Sequence, residues 1–178
     1  MTVKLGCFLL LFSSASPALA LSGLYGTACL PVEELSARKD FVFSPESFEM
    51  VQTVFGDNSC TTPAYDFSFT GHYTYDPSAQ TIDFIFETSL LTALDARIAE
   101  AFSQAVLCGI DDWQAARTED VTGKNCGGQP IPGRDIRIFD KLNVADEGIY
   151  FGLTTNELNG TSPELRPFDW DVMLYEAK

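Results

Sequence analysis

The chain has 178 residues, 46% of them hydrophobic and 12% aromatic, enough apolar material for one globular domain. Its 25 acidic residues against 11 basic ones give a formal net charge of −14 at pH 7. A surface that negative repels phosphate backbones and anionic lipid heads, so it argues against nucleic acid as a partner.

Residues 1–20 have the layout of a secretory signal peptide. Lys4 gives a short positive start, Leu5 to Phe12 form an apolar run, and small residues end in Ala18-Leu19-Ala20, an A-x-A cleavage site. The apolar run is too short to span a bilayer, and no other run qualifies. The mature chain is therefore expected to start near Leu21, to have no transmembrane segment, and to be secreted into an extracellular or periplasmic setting. Every acidic residue follows Ala20 and one basic residue, Lys4, precedes it, so the mature charge is 10 − 25 = −15. Cys7 leaves with the leader. Cys29, Cys60, Cys108 and Cys126 remain, an even number that implies two disulfides with three possible pairings. No pair has C-x-x-C spacing, so zinc and dithiol redox chemistry have weak support.

In chain order, Leu21 to Cys29 reads as a first strand, Arg38 to Ser44 as a second and Ser47 to Gly56 as a third. If these form a meander, Cys29 and Cys60 finish at the same edge of the sheet. That favours a Cys29–Cys60 bridge and leaves Cys108–Cys126 to close a local loop. The stretch from Cys60 to Leu90 is the strongest signal in the chain. Tyr65, Phe67, Phe69, Tyr73 and Tyr75 fall on one parity, with Gly71 the only gap, and polar residues including His72 fall on the other. After the turn residues 76–80, Ile82, Phe84, Phe86, Thr88 and Leu90 continue as a second strand. Matched aromatic faces on neighbouring strands predict a long antiparallel hairpin that must bury one face, in a sandwich or a barrel.

Leu91, Leu94, Ile98, Ala101, Phe102 and Ala105 then recur at helical spacing. Thr92 and Asp95 make a T-x-x-D start and Gly109 a stop. Residues 109–133 are polar and rich in Gly and Pro; a Cys108–Cys126 bridge would staple them and Trp113 would anchor them. Ile136 to Leu142, Gly148 to Thr154 and Phe168 to Tyr175 are further strand candidates. About eight strands and one α-helix, in one domain over residues 21–178, predict a mainly β, up-and-down antiparallel barrel.

Chemical motifs are sparse. His72 is the one histidine, on the polar parity, and no G-x-S-x-G elbow accompanies it. Carboxylate pairs such as Asp111-Asp112, Asp146-Glu147 and Asp169 with Asp171 carry no spacing that selects an acid–base couple or a calcium loop. No glycine-rich phosphate cradle is present. The chain is thus expected to have no catalytic residues, metal ligands or cofactor. The aromatic face remains, and it reads either as filled core or as the wall of a cavity for an apolar ligand. In the second case Tyr65, Phe67, Phe69, Tyr73, Tyr75, Phe84 and Phe86 are the ligand-binding residues.

A family resemblance supports the cavity. Cys29, the Phe41/Phe43 strand, F-G-D-N-S-C at 55–60 and P-x-Y-x-F-x-x-x-G-x-Y at 63–73 resemble the domain of the adenomatosis polyposis coli down-regulated family. Asp83-Phe84, Cys108 with Trp113, Asp120-Val121-Thr122, Cys126, I-R-I-F-D-K-L, I-Y-F-G-L and Arg166-Pro167 follow in the same order. Gly23-Leu24-Tyr25 resembles the G-x-W opening of lipocalins, with Tyr for Trp. The resemblance implies a disulfide-stapled, extracellular, lipocalin-like barrel whose cavity takes an acyl chain. Family members carry two such domains and a membrane anchor and inhibit Wnt signalling; this chain has room for one domain, and the lipid-binding barrel is the part that carries over. The expected partner is an apolar small molecule or lipid, or an acylated protein. A protein-interaction domain with a filled core and a small hydrolase using a carboxylate pair are the competing expectations.

Overall fold

The computed structural model describes residues 21–178; the expected leader at 1–20, with Lys4 and Cys7, lies outside the described residues. The strands are β1 (Gly23–Gly26), β2 (Leu30–Val32), β3 (Leu35–Phe43), β4 (Ser47–Phe55), β5 (Pro63–Asp76) and β6 (Thr81–Ala93). Helix α1 (Ala96–Gln104) follows, then β7 (Thr118–Asp120), β8 (Asn125–Cys126), β9 (Gln129–Pro130), β10 (Arg137–Ala145), β11 (Gly148–Gly152) and β12 (Trp170–Ala177). Strands β3, β4, β5, β6, β10, β11, β12 and β1 pair antiparallel in that order, and β1 pairs back onto β3. The sheet is therefore a closed eight-stranded barrel, as the strand spacing predicts.

The up-and-down path sorts the connections by length. Residues 44–46, 77–80 and 146–147 are tight turns at one end, hereafter the turn end. Residues 27–34, 56–62, 94–136 and 153–169 cross the other, the loop end. Both disulfides lie at the loop end, in the expected pairings. Cys29–Cys60, with Cα atoms 5.8 Å apart, ties the first two of these loops together, and Cys108–Cys126 closes a loop within the third. Asp57 organises the loop before Cys60. Its carboxylate accepts from the backbone N–H groups of Ser59 (2.8 Å), Thr61 (3.2 Å) and Thr62 (2.6 Å). Those bonds hold its pKa well below the usual carboxylate range, against the opposing effect of desolvation.

The β5–β6 hairpin forms as the alternation predicts, with one correction. Its register slips between Thr70↔Thr88 and Gly71↔Phe86, so Glu87 is an extra residue in β6, a β-bulge. A one-residue slip moves every later side chain to the other face. Ile82 and Phe84 are buried, but beyond the bulge Ser89, Leu91 and Ala93 take the inside. Thr88 and Leu90, expected beside the phenylalanines, face outward. Gly71 is the gap in the aromatic stripe for a steric reason: a Cβ there would sit 2.0 Å from the Ile85 carbonyl oxygen and 3.0 Å from the Phe48 ring.

The helix is shorter than its periodicity suggests. Leu91 and Thr92 belong to β6, held by pairing to Phe67 and Asp66 on one side and to Glu119 and Thr118 on the other. The N-cap is Asp95, not Thr92; its side chain accepts from Arg97 N–H at 2.8 Å. The helix ends by Ala105, before Gly109. The first expected strand, Leu21 to Cys29, narrows to β1, and just beyond it Leu30–Val32 folds back as a hairpin on Leu35–Ala37. Residues 109–133 contain β7 and the small β8–β9 hairpin. Trp113 anchors them as expected: it is buried, its ring centroid lies 5.3 Å from that of Phe102, and its indole N–H donates to the Leu107 carbonyl at 3.2 Å. In the fourth long connection Arg166 donates to Asp83 (2.7 Å) and to the Ile82 carbonyl (3.2 Å), fastening residues 153–169 to β6.

The close approach at Gly71 makes a sharp test. Gly71→Ala is expected to lower stability by about 2 kcal/mol or more, because backbone rather than a flexible side chain must move. Gly56→Ala, whose nearest neighbour atom would be 3.9 Å away, should change it by less than about 0.5 kcal/mol. Urea midpoints at unchanged m-value report both.

Candidate ligand-binding site

The inward parity of the barrel divides into two storeys. Towards the turn end, Phe41, Phe43, Phe48, Tyr73, Ile82, Phe84, Leu142, Ile149, Phe151 and Tyr175 are all buried. Their rings interlock, with centroids 4.8 Å apart for Phe48–Phe84, 5.0 Å for Phe41–Phe151, 5.2 Å for Phe43–Tyr73 and 5.1 Å for Phe151–Tyr175. Contacts of this kind, mostly tilted or edge-to-face, suit aromatic quadrupoles. The Tyr73 hydroxyl completes the seal, 3.0 Å from the Leu21 carbonyl and 2.9 Å from that of Ser44, both acceptors.

Towards the loop end burial is no longer uniform: Ala37, Val54, Ser89, Leu91 and Ala93 stay buried, and their neighbours do not. Lys39, Met50, Gln52, Tyr65, Phe67, Asp171 and Met173 are all partly exposed, though each shares parity with a buried interior residue. Here the barrel wall meets the cap formed by α1 and residues 107–131. Between them lies a cavity of about 280 Å³ lined by Tyr65, Phe67, Leu91, Phe102, Leu107, Cys126, Gln129 and Ile131. Gln129 is the single amide in an otherwise apolar lining. A larger hollow, about 440 Å³, lies at the turn end among Leu21, Ser22, Tyr25, Tyr75, Pro77, Gln80, Asn143 and Val144. The smaller cavity is the better candidate. The turn-end hollow is lined by polar Ser22, Gln80 and Asn143, and the interior residues at that end, Ile82, Leu142 and Ile149, are 0% exposed.

The seven aromatic residues singled out by sequence thus fall in three places. Tyr65 and Phe67 line the loop-end cavity. Phe69, Tyr73, Phe84 and Phe86 belong to the packed interior, where Phe69 and Phe86 meet edge to face at 5.7 Å. Tyr75 lines the turn-end hollow. Burial raises the pKa of Tyr65, Tyr73 and Tyr75. Leu91, Phe102, Leu107 and Ile131 escaped the sequence reading as lining residues, since all but Leu91 come from the cap.

Charged groups on the inward parity also escaped it. Lys39, Asp140, Asp171 and Tyr175 share the interior between β3, β10 and β12. Burial lowers the Lys39 pKa, while the Asp171 carboxylate acts the other way. Burial pushes Asp140 up to about 6, although the Lys141 and Gly152 N–H groups donate to its Oδ1 at 2.7 and 3.1 Å. Burial, reinforced by Asp171 and Asp140, raises Tyr175 far above a normal phenol. His72 lies on the outside, exposed, with Nε2 3.1 Å from Glu87 and Nδ1 3.1 Å from the Glu46 carbonyl. Among the described residues no group of three or more His, Cys, Asp or Glu is placed to hold a metal ion, and no helix is long and apolar enough to cross a membrane. Comparison with protein-family models and with curated proteins finds no match for the chain.

Asp140 gives a pH prediction. Its folded pKa, about 6, lies above the ordinary aspartate value of about 3.9, so the folded state binds the proton more tightly than the unfolded chain. Stability should fall as pH rises through roughly 4 to 6, by on the order of 2 kcal/mol. Asp57, Asp76, Asp95, Asp120 and Glu164 have lowered values and act at more acid pH, with the opposite sign. Asp140→Asn should flatten the urea midpoint between pH 4.5 and 7.5. An unchanged slope would remove Asp140 as its source.

Proposed function

We propose that the chain is a non-enzymatic, exported binding protein that holds a compact apolar or lipid-like ligand in the loop-end cup of its barrel. One observation carries this. Side chains pointing into the lower storey interlock in a sealed aromatic core, whereas in the upper storey partly exposed Tyr65 and Phe67 join buried Leu91 and the cap around an apolar cavity. Natural small-molecule sites are concave, mostly apolar and fixed by a few polar groups. Export is supported by the leader layout of residues 1–20 and by two disulfides, which persist in oxidising compartments. The family resemblance belongs to the same proposal. A closed antiparallel barrel with two disulfides agrees with the fold that it implies, and an acylated protein is then one bearer of such a ligand chain.

A second reading, a protein-interaction domain, is favoured by the filled lower storey and by apolar side chains on the outer wall. Val172 is 94% exposed and Phe168 67%. Titration with a neutral fluorescent apolar probe separates the two. Phe67→Ser should weaken probe binding on the order of tenfold, the effect of removing one buried ring, while Val172→Ser leaves it unchanged. Loss with Val172→Ser and not with Phe67→Ser would transfer the activity to the outer wall and overturn the cup.

A further inference from the structure

The lining of the loop-end cavity carries no charge, in a chain whose formal net charge is −14. Its walls are hydrocarbon and disulfide sulfur except at Tyr65 and Gln129. The charged neighbours of those walls are turned away. Asp66, between Tyr65 and Phe67, takes the opposite parity and accepts from the Thr53 hydroxyl at 2.7 Å. Glu119, opposite Leu91 in the register, pairs with Arg117. On the inward parity below, Asp140 and Asp171 set two carboxylates against the one ammonium of Lys39. An anion entering the cup thus meets excess negative charge and no cation in the lining, and a cation meets no carboxylate there.

The two polar groups of the lining sit on fixed supports. The Tyr65 ring meets Phe102 edge-on, with centroids 5.5 Å apart, and Phe102 meets buried Trp113 at 5.3 Å. Burial raises the Tyr65 pKa, so its hydroxyl stays protonated. Gln129 follows the turn residues Gly127 and Gly128, whose φ angles are +63° and +91°. Gly128 N–H donates to Asn125 Oδ1 at 2.8 Å, and Gln129 pairs with Cys126, which the disulfide ties to Cys108. Among the described residues neither the Tyr65 hydroxyl nor the Gln129 amide has a side-chain hydrogen bond, and no buried side-chain nitrogen or oxygen lacks a partner. Both groups are therefore open to the cup and unspent. A phenol offers one donor and an acceptor; a primary amide offers two donors and an acceptor.

Resting on the proposal that the cup binds an apolar ligand, we infer that this ligand is an uncharged, single-chain molecule with one hydroxyl or carbonyl head, the class of a medium-chain alcohol or ketone. Tyr65 and Gln129 hydrogen-bond the head, and the chain lies against Phe67, Leu91, Phe102 and Ile131. The charge state follows from desolvation. A carboxylate or ammonium drawn out of water needs a countercharge, whereas a hydroxyl or carbonyl needs only a hydrogen bond. The volume limits the chain. At about 280 Å³ the cavity sits at the lower edge of the roughly 300–1,000 Å³ of small-molecule sites, too small for a two-chain lipid.

Calorimetric titration of disulfide-bonded protein spanning residues 21–178 tests this, with octan-1-ol, octan-2-one, octanoate, octylammonium and the apolar control 1-chlorooctane at neutral pH. The alcohol and the ketone should bind more tightly than either ion by on the order of tenfold or more. Tyr65→Phe and Gln129→Leu should each weaken alcohol binding about fivefold, the effect of one neutral hydrogen bond, and leave 1-chlorooctane unchanged. Circular dichroism of each variant checks that the barrel is intact; should Tyr65→Phe not fold, the Gln129→Leu and wild-type arms still decide. Octanoate or octylammonium binding as tightly as the alcohol would overturn the uncharged ligand and leave the cup standing. Alcohol affinity unmoved by both substitutions would overturn the roles of Tyr65 and Gln129. Binding of none of these compounds would overturn the cup itself.

Discussion

The packing of aromatic rings across the turn-end half of the barrel is the constraint on which the rest depends. Phe41 on β3 touches Phe151 on β11 and Tyr175 on β12; Phe48 on β4 touches Phe84 on β6. These pairs cross the barrel axis, so they tie together strands that are not neighbours in the sheet. Burying rings of this size supplies the largest apolar term available to a small domain. It also fixes a floor. Above Phe41, Phe84 and Phe151 the inward positions include partly exposed Met50, Phe67 and Met173, with Lys39 and Asp171 on the same parity.

The loop end is arranged around that opening. Four long connections converge on it, and both disulfides staple them, whereas the turn end is closed by short turns and by Tyr73 reaching the Leu21 and Ser44 carbonyls. Cross-linking removes conformational freedom mainly from the unfolded chain, more for longer loops. The bridges span 31 and 18 residues, which is stabilisation placed in the region with the least regular structure. The bulge at Glu87 contributes in a different way. It turns β6 over, so that Leu91 rather than Leu90 faces the cavity.

Much of this was legible in the sequence, for reasons that differ from residue to residue. Period-two alternation from Tyr65 to Tyr75 gives a strand and its buried face directly, and the alternating directions of successive strands bring Cys29 to Cys60. Alternation reports which face a side chain takes but not its height along the barrel axis. It could not tell that Tyr65 and Phe67 lie in a cup, Phe69, Tyr73, Phe84 and Phe86 in packed core, and Tyr75 at the far end. The bulge was illegible because one inserted residue leaves composition and length unchanged. Leu91 fits a helical stripe and a strand equally well, and its partners Phe67 and Glu119 decide between them. Lys39 did leave a trace, as a charged residue on the parity of Phe41 and Phe43; so did Asp171, on that of Tyr175.

The two-storey interior is tested most directly by nuclear magnetic resonance of isotope-labelled protein spanning residues 21–178, titrated with a neutral medium-chain alcohol. Shifts confined to Phe67, Leu91, Phe102 and Leu107, with Phe43, Tyr73 and Leu142 unmoved, are the predicted result. Shifts concentrated at Val172 on the outer wall and at Phe168 in the connection leading into β12, or spread through the aromatic floor, would contradict it.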